Sequence, residues 1–395
     1  MNFTLDIETF AIGSLVLGVL FAAIYALWQW SRVSRVKKYV RAEALRSYRS
    51  EYSLPSVSVV VYAHDDAPWL ERNLPKLLAQ RYAAEYEVIV VDDGSWDNTG
   101  DVVSGLMATD SRLRLTFTPH AARGLSRKKL SLMIGIKAAR HDVVVITNAN
   151  CEPAGDEWLL NVARNFVDGV DVVVGYSHPC YEADKGLWRR YRVWDTVRVG
   201  AQYVCSAVKG RVYRGTSHNL AFRKKLFFDR GGYARSAGLK WGEDDVWLRS
   251  VIKPGNSRVE LLPDSVVTTH YDNSRRAYRE LKLRRDFTSR FVRRKQFVTQ
   301  GFMSWINYLR VASLIAAAVL AVPAANWWVL GAAVLVWICA VVSNVLSYNA
   351  MARLLQAPRL FLSVPLLALW TPLVNLRYRI MGRKARKSYY TMTLE

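Results

Sequence analysis

Two acidic doublets in this sequence have the residue types and spacing to do chemistry. The first, Asp92-Asp93, closes an apolar run and is followed by Gly94, Ser95, Asp97, Asn98 and Thr99. Adjacent carboxylates at a strand end can accept hydrogen bonds from the ring N–H of a base or from ribose hydroxyls. The same residue types also make plain turns and helix caps. The second lies in Trp241-Gly-Glu243-Asp244-Asp-Val-Trp247. A positioned carboxylate there can take a proton from an attacking alcohol, although acids also favour a helix N-terminus through its dipole. Between the doublets stand Lys128-Lys129 and Thr147-Asn148-Ala149-Asn150, and beyond them His270 follows a strand-like run, Val266 to Thr269.

These groups need a scaffold that gathers them. Apolar runs at Ser56 to Tyr62, Tyr86 to Val91, Leu113 to Phe117, Val143 to Ile146 and Val170 to Val174 read as buried strands. Helical patterns, among them Trp69 to Gln80 and Leu125 to Ala139, separate them. The alternation predicts an α/β fold with a mostly parallel sheet, which binds ligands beyond the carboxyl ends of its strands.

The rest of the chain points to a membrane. Of 395 residues, 51% are hydrophobic and the net charge is +22, which excludes a wholly disordered chain. Ala11 to Trp30 is an uncharged stretch long enough to span, followed by Arg32, Arg35, Lys37, Lys38 and Arg41. Asp6 and Glu8 precede it, unlike a cleaved leader, so an anchor is expected with the following residues on the cytosolic side. A helical hairpin is expected from Trp305 to about Ala325 and from Trp327 to Leu346, with Arg310 snorkelling near the inner end. Leu360 to Leu376, interrupted by Pro365 and Pro372, is expected to be re-entrant or interfacial, because Arg377, Arg379, Arg383, Lys384, Arg386 and Lys387 follow it. Much of the base therefore clusters at membrane edges, and no nucleic-acid recognition motif is present. Cys151, Cys180, Cys205 and Cys339 lack metal or disulfide spacing. The domain reading is an anchor at 1–50, a cytosolic catalytic lobe at 51–273, an interfacial amphipathic helix at 274–300, with Arg293 and Arg294 among its charges, and a membrane region at 301–395.

Taken in order, Pro55 to Asp66, Asp92 to Asp97, Lys128-Lys129, Thr147 to Asn150, Gly215 to Arg223 and Gly242 to Asp245 resemble the membrane-bound members of glycosyltransferase family 2, inverting enzymes with a GT-A nucleotide-sugar fold. The resemblance covers about residues 55–295. It implies that Tyr62, Asp66, Asp92 and Asp93 line a nucleotide pocket, with Lys128, Lys129 and Arg285 near the diphosphate. Asp244 takes the place of the general base, and Glu243 supports orientation or metal. Asn219, in the Gly215-to-Arg223 segment, and Trp241 fall where a sugar is contacted.

Two departures qualify what the resemblance implies. Asn148 and Asn150 occupy the two carboxylate positions of an Asp-x-Asp motif that helps hold Mg2+ or Mn2+. Amide oxygens can ligate a hard cation but supply no net charge, so weak metal binding is expected, with His270 or Glu152 as possible helpers. The segment Lys282-Leu-Arg284-Arg285-Asp286 stands where polymerising members carry QxxRW; the tryptophan is replaced, which argues against long-chain processivity. The expected function is transfer of a sugar from a nucleotide donor, UDP-linked in the first instance, to a lipid-linked or glycan acceptor at the cytoplasmic membrane face. The competing reading is a non-catalytic nucleotide-sugar-binding or assembly module.

Overall fold

The computed structural model describes residues 3–49, 53–119, 126–181, 185–271, 274–291 and 295–384. Arg293, Arg294, Arg386 and Lys387 therefore lie outside the described residues. The chain divides into two units. One holds the first part of the long helix α1 (Phe3–Arg49), α10 (Lys295–Ala321), α11 (Trp327–Leu354) to Arg353, and α12 (Ser363–Lys384) to Arg377. The other holds the mixed α/β lobe.

In the lobe, β1 (Val57–Ala63), β2 (Tyr86–Asp92), β3 (Leu113–Phe117) and β4 (Val143–Asn148) are linked by α2 (Ala67–Leu78), α3 (Thr99–Met107) and α4 (Arg127–Ala138). The next elements are β5 (Cys151–Pro153), α5 (Trp158–Ala163), β6 (Val172–Val174), β7 (Ser177–Pro179), α6 (Gly186–Ala207), β8 (Leu220–Arg223), α7 (Lys224–Asp229), α8 (Asp245–Val251), β9 (Ser257–Val259), β10 (Val267–Thr269) and α9 (Ser274–Thr288). Seven strands form one sheet in the order β3-β2-β1-β4-β8-β6-β9, and β5-β10-β7 form a second. The large sheet is parallel from β3 to β4, but β8 runs antiparallel to both β4 and β6. The sequence reading does not assign β8, which lies in a segment without a continuous apolar run.

Register aligns the functional strand ends. Ala63 pairs with Asp92 and Tyr62 pairs with both Val91 and Asn148, so three strands deliver their last residues to one edge. All six residues of β4 and the first six of β2 are buried, as both faces of a central parallel strand require. Burying each such valine contributes about 1.5–3 kcal/mol relative to exposure. Gly135 lets α4 lie flush on the sheet: a Cβ there would come within 2.4 Å of Val60 and 2.6 Å of Val91. The helix bearing Lys128 is thus held at backbone-contact distance from β1 and β2.

The other unit contains helices long and apolar enough to cross a membrane. Three such stretches occur among the described residues, Ile7–Arg46, Phe297–Ala321 and Trp327–Leu354. Phe10, Leu27, Trp328 and Leu335 leave large apolar surfaces exposed on them. Within this unit Glu8 accepts from Asn326 Nδ2 at 2.7 Å, and Trp30 Nε1 donates to Ser343 at 3.1 Å. Arg310 does not snorkel. It lies in the middle of α10, buried, donates to Asn307 Oδ1 at 2.8 Å and sits 5.6 Å from the Tyr25 ring. A local amide and an aromatic face hold it inside the helix packing. The segment read as re-entrant or interfacial lies largely in one helix, α12, with Pro372 inside it.

Candidate active site

The nucleotide-facing corner is assembled by the ends of β1 and β2. Tyr62 Oη donates to Asp93 Oδ2 at 2.9 Å, and Arg127, at the start of α4, pairs with Asp93 Oδ1 at 3.0 Å. Asp93 is buried with these partners. Asp92 turns back on its own loop, accepting from Ser95 N at 2.9 Å and Ser95 Oγ at 2.6 Å. Asp66, just before α2, accepts from His64 N at 3.0 Å. Burial, then the neighbouring Asp93 carboxylate, pushes the Tyr62 phenol well above its usual range.

The Asp-x-Asp slot is filled differently. Lys128 Nζ donates to Asn148 Oδ1 at 3.1 Å and lies 4.9 Å from the centre of the Tyr62 ring. Burial lowers its pKa, while Glu243 and Asp244 act in the opposite direction. Asn150 is turned away: its Nδ2 donates to the His270 carbonyl at 2.6 Å, and its own carbonyl accepts from His270 N at 2.9 Å. His270 Nε2 is 2.7 Å from Glu152 Oε2, with the Trp69 ring stacked at 5.1 Å. Glu152 is also engaged by Lys76 and by Arg72 at 3.1 Å.

This donor set does not fit a divalent cation. An ammonium occupies the amide oxygen of Asn148, His270 and Glu152 satisfy each other, and no group of three His, Cys, Asp or Glu among the described residues is arranged to hold an ion. Asn148, Asn150 and His270, expected to assist a metal, are here engaged by protein partners.

The second doublet is built by a glycine turn and a short helix. Gly242, at φ 108°, makes a turn that a side chain strains, and Asp244 then caps α8 by accepting from Asp245 N at 2.7 Å. Glu243, Asp244 and Asp245 are all buried. Arg284 of α9 reaches Glu243 Oε1 at 3.0 Å and contacts Asp244 Oδ2. Burial acts to raise the Asp244 carboxyl, but the Arg284 guanidinium prevails and holds it below the usual range. Asp245 is raised, by burial and by the Asp244 charge, against the pull of Arg214 at 3.1 Å. Asp245 also accepts from Thr288 Oγ1 at 2.9 Å, which commits it to tying α8 to α9.

Three residues expected at the ligand are engaged by protein groups. Lys129 is buried beneath the loop before the second doublet and donates to the carbonyls of Ser236, Leu239 and Trp241 at 2.5, 2.6 and 3.1 Å. Burial lowers its pKa to about 8. Asn219 donates to the carbonyls of Tyr176 and Ser265 at 3.1 and 2.8 Å and accepts from Trp158 Nε1 at 3.2 Å, so it closes a core network and leaves no group for a sugar. Arg285 faces Asp195, at 3.5 Å. The guanidinium at the acidic centre is Arg284, missed because successive helical residues point about 100° apart and a linear motif carries no face. Trp241 packs edge-on against Phe287, ring centres 5.9 Å apart.

The sequence profile of glycosyl transferase family 2 matches residues 58–231, the span that contains Tyr62, the first doublet, Lys128 and the Asn148–Asn150 slot. In this segment the chain is similar to glycosyl transferase family 2. The chain is 29% identical over 134 residues to undecaprenyl-phosphate 4-deoxy-4-formamido-L-arabinose transferase of Pseudomonas fluorescens, covering 31% of this chain and 35% of that protein. An uncharacterised protein of Mycobacterium tuberculosis is 24% identical over 293 residues, covering 70% of this chain and 82% of its own. A mannosyltransferase of Pyrobaculum calidifontis, solved with GDP-Man and Mn2+, superposes on the chain with a TM-score of 0.47 at 19% identity, covering 86% of this chain and 99% of that one. Between 24% and 42% of the length of three curated relatives is spanned by their matches to this chain. The second doublet and Arg284 lie beyond the profile match.

Proposed function

We propose that the chain is a membrane-anchored inverting glycosyltransferase. It transfers a sugar from a nucleotide donor, with UDP-linked sugars the first to test, to a lipid-linked or glycan acceptor at the cytoplasmic face. The observation that carries this reading is the position of Lys128. Its ammonium touches Asn148 and the Tyr62 ring on the nucleotide side, and lies in the fields of Glu243, Asp244 and Arg284 on the other. Glu243 in turn acts on Tyr62. The two acidic doublets therefore border one polar region, as donor and base must.

In this mechanism Tyr62, Asp66, Asp92 and Asp93 face the nucleoside, and Lys128 and Arg284 face the diphosphate. Two resident cations close to a leaving diphosphate stabilise the charge that develops as the anomeric C–O bond breaks and its electron pair passes to phosphate. The acceptor oxygen attacks from the opposite side, forms the new C–O bond with inversion and loses its proton to Asp244. Arg284 links the two events. While it pairs with Asp244 the carboxylate is a weak base; a diphosphate that competes for the guanidinium strengthens it. Glu243 keeps Arg284 within reach of both.

Calorimetry of the full chain in detergent with UDP and with UDP-sugars, with and without a chelator, tests donor binding. A donor-hydrolysis assay on wild type and Asp244→Asn tests the base. Binding that survives chelation and turnover that the substitution abolishes are expected. Binding without turnover, unaffected by the substitution, would favour the non-catalytic module.

A further inference from the structure

Three consecutive cations open α4, and each is committed to a different part of the site. Arg127 pairs with Asp93 Oδ1 at 3.0 Å and Lys128 donates to Asn148 Oδ1 at 3.1 Å, both at the nucleotide side. Lys129 points the other way. Its ammonium is 1% exposed and donates to the carbonyls of Ser236, Leu239 and Trp241 at 2.5, 2.6 and 3.1 Å. An ammonium has three N–H donors, and here each has a carbonyl to meet.

The segment so held leads directly into the second doublet. Residues 237–244 contain no helix or strand, so neither ladder fixes their path. Two helices do it from the flanks. On one side α9 supplies Arg284, paired with Glu243 at 3.0 Å, and Phe287, packed edge-on against Trp241 with ring centres 5.9 Å apart. On the other side α4 supplies Lys129. That helix is itself fixed, because Gly135 seats it against Val60 and Val91. A buried ammonium is costly, and an apolar side chain of similar length would fill the space without that cost while leaving three carbonyls unpaired. What the lysine adds is a fixed path for the turn.

We propose that Lys129 is a positioning residue for transfer: by holding the Ser236, Leu239 and Trp241 carbonyls it fixes the turn that presents Glu243 and Asp244 to the reacting centre. This rests on the reading of Asp244 as the base and adds to that site the group that orients it. A pH dependence follows. Burial lowers the Lys129 pKa to about 8, with Glu243 and Asp244 opposing the shift and Arg284 adding to it. The neutral amine has two N–H donors and a lone pair, so one of the three carbonyls loses its partner and the turn loosens. Between about pH 8 and 10.5 the unfolded chain keeps this proton and the folded one loses it, so stability does not fall with pH through this group. Turnover falls while the fold holds.

The test uses the full chain in detergent, with hydrolysis of UDP-glucose, UDP-galactose and UDP-N-acetylglucosamine followed from pH 6.5 to 9.5, UDP binding followed by calorimetry, and amide hydrogen exchange read on peptides covering residues 232–244. Wild-type kcat is expected to fall through an apparent pKa near 8 with UDP affinity within twofold and no drop in melting temperature between pH 7 and 9. Lys129→Met should lower kcat at pH 7 about 10- to 100-fold, leave UDP affinity within twofold, abolish the alkaline fall and speed exchange of residues 232–244 at least tenfold. Lys129→Arg, which stays charged throughout, should retain more kcat than Lys129→Met and also lack the fall near pH 8. A lysine that only supports the fold would lower the melting temperature and leave the shape of the pH profile alone. Wild-type kcat in Lys129→Met, wild-type exchange of residues 232–244 in that variant, or an alkaline fall that survives both substitutions and so belongs to another group such as Lys282, would each overturn the proposal; if Lys129→Met does not fold, the Lys129→Arg profile decides. If wild type turns over no faster than Asp244→Asn, the reading of the Asp244 centre fails, and hydrogen exchange still decides whether Lys129 holds the turn.

Discussion

Arg284 and Arg285 are consecutive on one helix, yet the centres they enter have opposite charge balance. Arg284 joins Glu243 and Asp244 where the adjoining Asp245 is held by Arg214, an acid-rich place. Arg285 joins Lys282 and Arg198 around Asp195, among the described residues the one acid within ion-pair distance of Arg198 and of Arg285. The acid-rich centre retains a carboxylate able to accept a proton, with Arg284 as its one cation toward a diphosphate. The Asp195 centre, where one carboxylate faces three cations, has no comparable base. The two centres therefore differ in charge balance, and each can be broken separately.

The largest effect is expected at the acid-rich side. Asp244→Asn keeps the shape and the Asp245 N–H contact but removes the proton acceptor, so turnover should fall about 10²–10⁴-fold, the usual contribution of a general base, with UDP affinity within threefold of wild type. A parallel fall in UDP affinity, read by calorimetry, would make Asp244 a binding group instead. Next in size is Asp245→Asn, which leaves Arg214 buried beside an uncharged amide. Breaking one partner of a buried pair costs about 3–5 kcal/mol, to be read as a lower denaturant midpoint. Asp195→Asn should cost more, because it leaves Arg198, Lys282 and Arg285 repelling one another with no carboxylate between them. A smaller loss than in Asp245→Asn would erase the contrast.

How far these centres were legible depends on helix faces. The strands were readable because buried parallel strands are continuous apolar runs, and the ends at Asp92 and Asn148 followed from them. Lys128 and Lys129 were read as a unit and Arg285 was assigned without Arg284, yet Lys128 and Lys129, like Arg284 and Arg285, go to different partners. Sequence shows that two cations are adjacent and not which way either points. Asn219 was misread for another reason: its partners Trp158, Tyr176 and Ser265 are 61, 43 and 46 residues away, and no local pattern announces a closed network. The Asp195 centre, joining α6 to α9 across 87 residues at Lys282, was invisible for the same reason.

The Lys128 slot yields a prediction of intermediate size. Lys128→Met keeps most of the volume and removes the charge, and should weaken UDP binding about tenfold, the worth of one hydrogen bond to a charged group. With Asn148 then released, Lys128→Met combined with Asn148→Asp and Asn150→Asp should make UDP binding respond to Mn2+, whereas wild type should be indifferent to a chelator. Calorimetry with and without Mn2+ decides it. A chelator-sensitive wild type would return the cation to the site.

The smallest effect concerns one histidine near each centre. His218 hydrogen-bonds Thr269 at 3.1 Å, and burial, then the Lys128 charge, pushes its pKa down to about 3. His178 lies beside Tyr176, ring centres 6.4 Å apart, and burial pushes it down to about 4. Both folded values lie below the ordinary 6.5, so the unfolded chain takes up these protons first as pH falls. The stability the neutral rings represent is full above about pH 6.5 and is lost progressively toward 4 for His178 and toward 3 for His218. Each should contribute a loss of about 1 kcal/mol between pH 6.5 and 5.5, so urea midpoints of His178→Gln and His218→Gln should each be flatter with pH than wild type over that interval. A slope in either variant equal to that of wild type would remove that histidine from the comparison.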